Sequence, residues 1–385
     1  MGGITKIHGD QIEPVDCITF GSPCQGLSMA GKRLGFYDNR SVLFLDAARI
    51  IKEMRTATNG MYPTFAVLEN VPGAFSSNGG EDFRAVLEEL ARVEQPDASI
   101  PRPSRGVRWS KAGAIAGNGW SLAWRQLDAQ YWGVPQRRKR IALVADFGGQ
   151  RASEILFERT GVSGNPDESI KAWEATPGHS QASSSRCDRT SERVVYDARG
   201  NGNGRTCPTI TGDHENRITD YTAIAIERQT FNEQSFSQYK ESDKCSTLKA
   251  KAGNIGNGSE CLVAEKAIRW IVRRLTPVEC ERLQGYPDDY TNIGDWTDSK
   301  GKKHKYADSP RYKALGNSIA LPQWFWLVQR MRPYLKEKPT LGSLFDGLGG
   351  FPLVWQRAYG EGTARWASEI EEFPMAVTKR RFGEE

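Results

Sequence analysis

The sequence has few histidines and no closely spaced cysteines. Its 385 residues include four histidines and seven cysteines, and no two cysteines form a Cys-x-x-Cys pair. Zinc sites and disulfide frameworks usually show such spacings, so a structural metal and a disulfide framework are both disfavoured. An odd number of widely spaced cysteines is typical of a reduced protein, and we expect an intracellular one without a metal.

Long apolar runs are also missing. No stretch approaches the roughly 20 apolar residues that a membrane-spanning helix needs, and the amino-terminal sequence lacks the apolar core of a signal peptide. The expectation is a cytoplasmic protein that does not enter a membrane. The net charge of only +5 is compatible with a polyanionic partner, but an ordinary, mildly basic enzyme would show the same value.

Strand-like and helix-like segments alternate along the first part of the chain. Buried strands are predicted at 15–20, 65–68 and 140–145, and amphipathic helices at 41–54 and 81–93. Such alternation indicates crossover units around a mainly parallel sheet, which places the chain in the α/β class.

The composition changes after the first 150 residues. Residues 150–265 are rich in Gly, Ser, Asn, Thr and Asp, which predicts a smaller, loop-rich module. Helical order returns at 276–279, where a Thr cap, a Pro and a Glu form the signature of a helix start. The later predicted elements are a helix at 322–334, a strand at 340–345, a helix from about 351 and a strand at 363–368.

Glycines separate a strand from a helix in the segment Ser343-Leu-Phe-Asp-Gly-Leu-Gly-Gly-Phe351. Glycine allows a sharp turn and a close approach of the backbone to a ligand, and the helix amino terminus presents free N–H groups. Glu369, at the end of the next predicted strand, is placed to bind ribose hydroxyls. Taken alone, this motif is explained equally well by a cofactor loop and by a structural tight turn.

Three further motifs adjoin predicted strands. Gly21-Ser-Pro-Cys-Gln25 places a cysteine where open α/β sheets keep their active sites, although most lone cysteines are buried structural thiols. Leu68-Glu-Asn-Val-Pro72 places a carboxylate at a similar point, where a turn or cap residue is the alternative. In Gln136-Arg-Arg-Lys-Arg-Ile141, alternation along an extended chain puts Arg138 and Arg140 on one face, as in many basic patches.

Together these motifs resemble the DNA cytosine-C5 methyltransferase family, whose hallmarks are Pro-Cys-Gln, Glu-Asn-Val and Gln-x-Arg-x-Arg. Two more elements of its pattern are present, Arg274-Leu-Thr-Pro-x-Glu-Cys-x-Arg-Leu-Gln-Gly-Tyr-Pro287 and Ala314-Leu-Gly-Asn-Ser-Ile319. The resemblance covers nearly the whole chain except 150–265 and is nearest to phage and bacterial restriction-modification enzymes. The Gly-rich loop opens the chain in most members but follows the Gly-Asn-Ser motif here, so the sequence resembles a circular permutant.

The resemblance implies a Rossmann-like sheet of the S-adenosylmethionine (SAM)-dependent methyltransferases with a second, smaller, loop-rich target-recognition domain. Residues 1–149 and 315–385 would form the two parts of the catalytic domain, and residues 150–314 the target-recognition domain. The expected partners are double-stranded DNA, read in the major groove, and a cognate restriction endonuclease acting on the same site. A cytoplasmic, prokaryotic or phage-encoded monomer is expected, with SAM as its cofactor.

The resemblance also implies roles for individual residues. Cys24 would attack C6 of a flipped-out cytosine, and Glu69 would hydrogen-bond N3 and the amino group of the base. Arg138 would hold the base and the developing charge, and Arg140 would orient the catalytic groups. The residues expected to bind SAM are Pro23, Asn317, Ser318, Phe345, Asp346, Gly347, Leu348, Gly349, Glu369 and Ile370. The residues expected to contact DNA, from a mobile loop over 26–39 and its start, are Gln25, Ser28, Lys32 and Arg33.

Two positions depart from the family pattern. Gly3 stands where members usually have the Asp that binds adenine, and Ile370 stands where the acidic ribose ligand is usually followed by Trp. Isoleucine could still pack on adenine, with less stacking area. We expect SAM binding to survive these departures with reduced affinity.

Three alternative functions remain open on the sequence alone. A tRNA cytosine methyltransferase shares the catalytic motifs, but its recognition region is small. A nucleotide-dependent oxidoreductase would explain the glycines but not the Pro-Cys-Gln and Glu-Asn-Val pair. A non-catalytic DNA-binding relative is disfavoured because Cys24, Glu69 and Arg138 are all present.

Overall fold

The computed structural model describes residues 3–21, 43–103, 107–158 and 275–383, together with six short strands between residues 194 and 273. The described strands, in chain order, are β1 (Cys17–Phe20), β2 (Phe65–Asn70), β3 (Ala112–Ala116), β4 (Ser121–Asp128), β5 (Lys139–Asp146), β6 (Val194–Asp197), β7 (Thr222–Ala225), β8 (Phe231–Ser235), β9 (Gln238–Glu241), β10 (Cys261–Leu262), β11 (Ile271–Arg273), β12 (Trp296–Thr297), β13 (Lys303–His304), β14 (Leu341–Leu344) and β15 (Ala364–Ser368). The described α-helices are α1 (Leu43–Ala57), α2 (Glu81–Ala91), α3 (Ala152–Leu156), α4 (Pro277–Gln284), α5 (Asp308–Asn317), α6 (Leu321–Met331), α7 (Gly350–Tyr359) and α8 (Glu372–Phe382). Within these ranges, no helix is long and apolar enough to cross a lipid bilayer.

Seven of the described strands form one sheet in the order β15-β14-β1-β2-β5-β4-β3. The first four strands in this order run parallel, while β5, β4 and β3 continue the sheet in alternating antiparallel directions. The predicted crossover units around a parallel sheet are confirmed for β15, β14, β1 and β2. The antiparallel extension was not predicted, because periodicity along one strand carries no information about the direction of its neighbour.

Helices cover both faces of this sheet, which makes the fold α/β and Rossmann-like. On one face, Ile18, Phe20 and Leu68 belong to a hydrophobic cluster that includes most of the buried apolar residues of α1 and α2. On the other face, α7 packs against β14 and α6, with the Trp324 ring edge-on to Phe351 at a centroid distance of 5.1 Å. Strand β1 is buried at every residue because both of its faces are covered.

The chain divides into two compact units. The larger unit comprises residues 1–184, 209–215 and 276–385, and the smaller comprises 185–208 and 216–275. The smaller unit contains two three-stranded sheets, with the orders β10-β8-β9 and β11-β7-β6.

The smaller unit ends earlier than the predicted target-recognition domain, which extended to residue 314. Residues 276–314 belong to the larger unit, because α4 packs on α5 and α5 packs on α8. The predicted start of α4 is confirmed: Thr276 Oγ1 accepts the Glu279 N–H at 3.3 Å, and Glu279 Oε2 accepts the Thr276 N–H at 2.7 Å.

Candidate active site

Three parallel strands end next to one another at the carboxyl edge of the large sheet. Phe20 of β1 pairs with Leu344 of β14 on one side and with Leu68 of β2 on the other. The segments that follow β1, β2 and β14 therefore begin side by side. In open α/β sheets, this edge holds the ligand-binding crevice.

A glutamate–arginine pair lies at this edge. Arg140 Nε is 2.7 Å from Glu69 Oε1, and the two side chains are 14% and 15% exposed. The pair forms because β5 is antiparallel to β2 and Glu69 pairs with Ala142, so β5 enters the sheet beside the carboxyl end of β2. A charge-assisted contact between largely buried groups fixes the carboxylate more firmly than a surface ion pair would.

Glu69 also lies against the start of the segment that carries the predicted nucleophile. A Cβ atom on Gly21 would be 3.2 Å from Glu69 Oε2, so glycine leaves room for the carboxylate. Cys24 follows three residues later in the chain and lies outside the described residues. The other predicted site residues that lie outside the described ranges are Pro23, Gln25, Ser28, Lys32 and Arg33.

Arg138 makes contacts different from those of Arg140. Its side chain is fully buried, and its Nη2 donates to the carbonyl oxygens of Gly316, at 2.8 Å, and of Ser318. A buried guanidinium that binds two carbonyls holds their segment in place. The sequence predicted that the two arginines share one face, but in the structure one reaches the Gly-Asn-Ser segment and the other reaches Glu69.

The predicted cofactor loop is tied to the end of β15. Ser343 Oγ donates to Asp346 Oδ1 at 2.6 Å, and the Asp346 N–H donates to Ser368 O at 3.0 Å. The Gly347 N–H donates to Glu369 Oε2 at 2.7 Å. These bonds bring the residues predicted for the methionine end and for the ribose of SAM to one place.

The half-buried carboxylate of Glu369 accepts hydrogen bonds from three backbone N–H groups and can accept one more. Besides Gly347, the N–H groups of Ile370 and Glu371 donate to its Oε1 at 2.7 and 2.8 Å. A carboxylate has about four acceptor positions, so one remains for a donor such as a ribose hydroxyl. Gly347 has a φ of +58°, and a Cβ there would meet no described atom within 4 Å. The open space and the spare acceptor fit a nucleoside-containing cofactor.

The two departures from the family pattern lie next to each other. A Cβ atom on Gly3 would be 3.5 Å from Ile370 Cγ2, an ordinary van der Waals distance. Ile370 is 67% exposed and directly follows Glu369. The predicted adenine side of the cofactor site is therefore formed by an aliphatic side chain and glycine backbone at these two positions.

Two tyrosines that were not predicted as site residues connect the cofactor loop to the Gly-Asn-Ser segment. Tyr286 Oη is 2.5 Å from Ser318 Oγ, and a Cβ on Gly350 would be 2.8 Å from that same Oη. Tyr290 Oη donates to Leu348 O at 2.9 Å. Burial raises the pKa of both phenols, which keeps them protonated.

The signal for this connection was present in the motif Arg274–Pro287. Tyr286 belongs to that motif, and Gln284 from the same motif donates through Nε2 to Leu315 O at 3.0 Å. The sequence identifies this motif as part of the family pattern but assigns no role to its side chains. Two predicted SAM ligands belong to the Gly-Asn-Ser segment. Of these, Asn317 is exposed and Ser318 is buried.

Tyr286→Phe is expected to raise the KM for SAM about three- to tenfold while kcat at saturating SAM stays near the wild-type value. The substitution removes one buried hydroxyl from Ser318, a loss of about 1 kcal/mol in positioning the segment. Steady-state kinetics at varied SAM measures the change. Tyr359→Phe is the matched control, because its hydroxyl donates to Val328 O at the far end of α7. An equal rise in KM for both variants would contradict the prediction.

Gly349→Ala is expected to lower the free energy of unfolding and to weaken SAM binding. Gly349 has a φ of +73°, and its Cβ would lie 2.5 Å from Phe382 Cε2 and 3.1 Å from Thr378 Cγ2. The left-handed backbone costs alanine about 1–2 kcal/mol, and overpacking adds about 1–3 kcal/mol. Gly362→Ala is the control, because Gly362 has the same φ of +73° and its Cβ would meet no described atom within 4 Å. Urea unfolding should show the larger loss at Gly349, and equal losses would refute the packing argument.

The chain matches the family model described as C-5 cytosine-specific DNA methylase over residues 1–94 and 112–331. The matched ranges contain the Pro-Cys-Gln, Glu-Asn-Val, Gln-x-Arg-x-Arg and Gly-Asn-Ser motifs. The Gly-rich loop at 343–351 lies outside them, and its circularly permuted position stays a prediction.

Methyltransferases of phage and bacteria are among the similar proteins. The chain is 29% identical over 419 residues to a DNA N-6-adenine-methyltransferase of Escherichia phage P1, with 85% of this chain and 53% of the phage protein covered. It is 27% identical over 336 residues to the Type II methyltransferase M1.ScrFI of Lactococcus lactis subsp. cremoris, with 87% and 67% covered. For the Type II methyltransferase M.HhaI of Haemophilus parahaemolyticus the identity is 22% over 345 residues, with 88% and 82% covered. The chain thus spans about half the length of the phage protein.

Among solved structures, the chain is similar to the S. pombe Dnmt2 methyltransferase, with a TM-score of 0.43, 17% identity, and 86% of this chain and 83% of that chain covered. The family model matches well over half of the chain and spans the motifs at the carboxyl edge of the sheet. The chain belongs to the C-5 cytosine-specific DNA methylase family.

Proposed function

We propose that this chain transfers a methyl group from SAM to C5 of a cytosine in DNA. The observation that carries the proposal is the Glu69–Arg140 pair, which lies beside Gly21 at the start of the segment leading to Cys24. The reaction requires a thiol, a carboxylate and a positive charge around one base. The carboxyl edge of the sheet supplies the last two groups within 2.7 Å of each other.

Cys24 is the proposed nucleophile. C5 of cytosine is too weakly nucleophilic to accept a methyl group unaided, but addition of a thiolate to C6 makes C5 enamine-like. The bond between Cys24 Sγ and C6 forms first. After C5 has been methylated, its proton passes to water and the electron pair of the C5–H bond restores the C5–C6 double bond. The Sγ–C6 bond breaks at the same time, and its electron pair returns to the thiolate. The base has then exchanged one hydrogen for one methyl group.

Glu69 and Arg140 are proposed to hold and polarise the base. Glu69 would hydrogen-bond N3 and the exocyclic amino group, which favours a protonated ring and makes C6 more electrophilic. Arg140 keeps that carboxylate oriented through the 2.7 Å contact and adds positive charge beside it. Arg138 is proposed to act as a positioning residue for the Gly-Asn-Ser segment instead of holding the base, since its Nη2 donates to two carbonyls there.

The residues around the Gly-rich loop are proposed to hold SAM. SAM supplies an electrophilic methyl group when it is bound. Glu369 has the spare acceptor for a ribose hydroxyl, the loop 345–349 would bind the methionine end, and Asn317 and Ser318 would contact its carboxylate. Ile370 would pack on the adenine. We expect the affinity for SAM to be reduced, because Gly3 offers no carboxylate to the adenine.

The DNA must present its target cytosine outside the stacked duplex, because C5 and C6 are inaccessible within it. The segment 26–39, with Ser28, Lys32 and Arg33, is proposed to close over the DNA together with Gln25. The smaller unit is proposed to read base edges in the major groove. The names of the Type II relatives favour a restriction-modification setting. For that setting we propose a cytoplasmic monomer that protects the sites cleaved by a cognate endonuclease.

A second candidate reaction, methylation of adenine N6, comes from the name of the phage P1 relative. Only 53% of that protein is covered by the match, so its named activity can reside in the remainder. An exocyclic amine needs no thiol adduct to become nucleophilic. The Pro-Cys-Gln motif, which follows Gly21 in the chain, therefore favours cytosine.

To test the proposal, the protein is incubated with labelled SAM and a mixed-sequence DNA duplex. The DNA is then digested, and the methylated nucleoside is identified by mass spectrometry. We expect 5-methylcytosine. N6-methyladenine alone, or no methylation by a folded protein, would overturn the proposal. Sequencing plasmid DNA methylated by the protein would then give its recognition sequence.

A further inference from the structure

A lysine-rich hairpin lies between the Arg274–Pro287 motif and the Gly-Asn-Ser motif. This lysine hairpin, residues 295–306, contains four lysines and two aspartates. Its strands β12 and β13 pair antiparallel, with Trp296 opposite His304. Because neighbouring residues of a strand point to opposite faces, Lys303 faces away from the side that carries His304.

Side-chain contacts stabilise the fold of the lysine hairpin. Asp298 Oδ1 accepts the N–H groups of Lys300 and Lys302 at 3.0 and 2.9 Å, and its Oδ2 is 2.9 Å from His304 Nε2. These bonds, foremost the one with His304, lower the pKa of Asp298 and keep it ionised. The His304 ring stacks on Trp296 at 4.1 Å with an interplanar angle of 10°. A preformed hairpin loses little conformational entropy when it binds a partner.

The lysine hairpin is attached at the carboxyl edge of the large sheet. Trp296 meets Phe373 of α8 edge-on at 5.6 Å, and Ser299 donates through N–H and Oγ to the Glu372 carboxylate at 2.8 and 2.6 Å. Helix α8 begins directly after the segment that follows β15 at this edge. The hairpin therefore lies at the same edge as the Glu69–Arg140 pair.

The four lysines of the hairpin differ in how far nearby carboxylates in the described part of the chain neutralise their charge. Lys305 pairs with Asp295 at 2.7 Å. Lys300, Lys302 and Lys303 are exposed and form no ion pair with any residue in the described part of the chain. Because Lys300 interacts electrostatically with the Glu372 carboxylate, Lys302 and Lys303 carry the positive charge that attracts a polyanion.

We propose that the lysine hairpin binds the phosphate backbone of the DNA duplex next to the target base. The inference rests on the proposed function, which supplies the DNA. Lysine acts on phosphate as a point charge and carries no base information, so the contact adds affinity and orientation but no sequence preference. Duplex DNA carries one charge per about 1.7 Å of axis, so the two lysines can reach one or two phosphates.

The test compares two double variants of the full chain that remove equal charge. Lys302→Gln/Lys303→Gln changes the hairpin, and Lys52→Gln/Lys338→Gln removes two exposed lysines from α1 and from the segment before the amino end of β14. Fluorescence anisotropy gives the Kd for a labelled mixed-sequence duplex over a series of KCl concentrations. Each lost phosphate contact lowers the slope of log Kd against log [KCl] by about 0.9, so we expect a slope lower by about 1–2 for the hairpin variant and an unchanged slope for the control.

Further measurements make the outcome decisive. Lys302→Arg/Lys303→Arg should keep the wild-type slope, and the hairpin variant should keep the wild-type KM for SAM. The inference would be overturned if the slope of log Kd against log [KCl] stayed unchanged in the hairpin variant or fell equally in the control. A lower slope accompanied by a raised KM for SAM would overturn it as well. Methylation of cytosine by the wild-type protein is measured separately. If the wild-type protein methylates DNA and the hairpin variant keeps the wild-type slope, only the inference about the hairpin fails.

Discussion

Cys24→Ser is expected to reduce the methylation rate by at least about three orders of magnitude. A serine hydroxyl is far less acidic than a thiol, so the variant has almost no anionic nucleophile at neutral pH, and C5 of the base is not activated. The affinities for SAM and DNA should stay near their wild-type values, because the substitution changes one atom. Initial rates with labelled SAM and duplex DNA measure the loss.

A duplex that contains 5-fluorocytosine tests the covalent bond itself. Fluorine replaces the hydrogen that must leave C5, so the adduct cannot be resolved and survives denaturing electrophoresis. Cys17→Ala is the matched control: Cys17 lies fully buried in β1, and burial raises the pKa of its thiol and keeps it protonated. An adduct with Cys24→Ser, or its loss in a folded Cys17→Ala protein, would show that the nucleophile has been assigned to the wrong residue.

The carboxyl edge of the sheet could be predicted because burial and chain breaks are both visible in the sequence. The predicted strands 15–20, 65–68 and 340–345 correspond to Cys17–Phe20, Phe65–Asn70 and Leu341–Leu344 in the structure. Each is a mainly apolar run followed by a glycine or an acidic residue, namely Gly21, Glu69 or Asp346, and parallel strands end at a common edge. The motifs that follow such strands are therefore brought together by the fold.

The partners of the two arginines could not be predicted in the same way. Alternation placed Arg138 and Arg140 on one side of an extended chain, but it did not specify what faces them. Arg140 meets Glu69 because β5 runs antiparallel beside β2. Arg138 meets Gly316 because α5 ends there, 178 residues away in sequence.

Strand β3 was missed for a different physical reason. Its sequence Ala-Gly-Ala-Ile-Ala offers small residues and little β-propensity. A Cβ on Gly113 would lie 2.3 Å from Trp124 Cζ2, so the small residue makes room for a tryptophan on the neighbouring strand β4. Such compensation between strands is a tertiary effect that one strand's composition does not reveal.

Glu69→Gln is expected to lower kcat by about 10²- to 10⁴-fold with little change in the KM for SAM. The amide keeps the size of the side chain but loses the charge that pairs with Arg140. It can no longer favour protonation of the base at N3, so addition of the thiolate to C6 becomes the slow step. Single-turnover methylation and the rate of adduct formation on 5-fluorocytosine DNA should fall together.

A double-mutant cycle with Arg140→Gln tests whether the two groups act as one unit. Arg140 Nε is 2.7 Å from Glu69 Oε1 and both side chains are about 15% exposed, so we expect the double variant to lose little more activity than Glu69→Gln alone. Lys139→Gln is the control, because Lys139 is the exposed neighbour on β5 and points to the other face. Additive losses would mean that Arg140 acts on the base independently of Glu69. An unchanged kcat in Glu69→Gln would remove this carboxylate from the chemistry and leave the pair as a purely structural contact between β2 and β5.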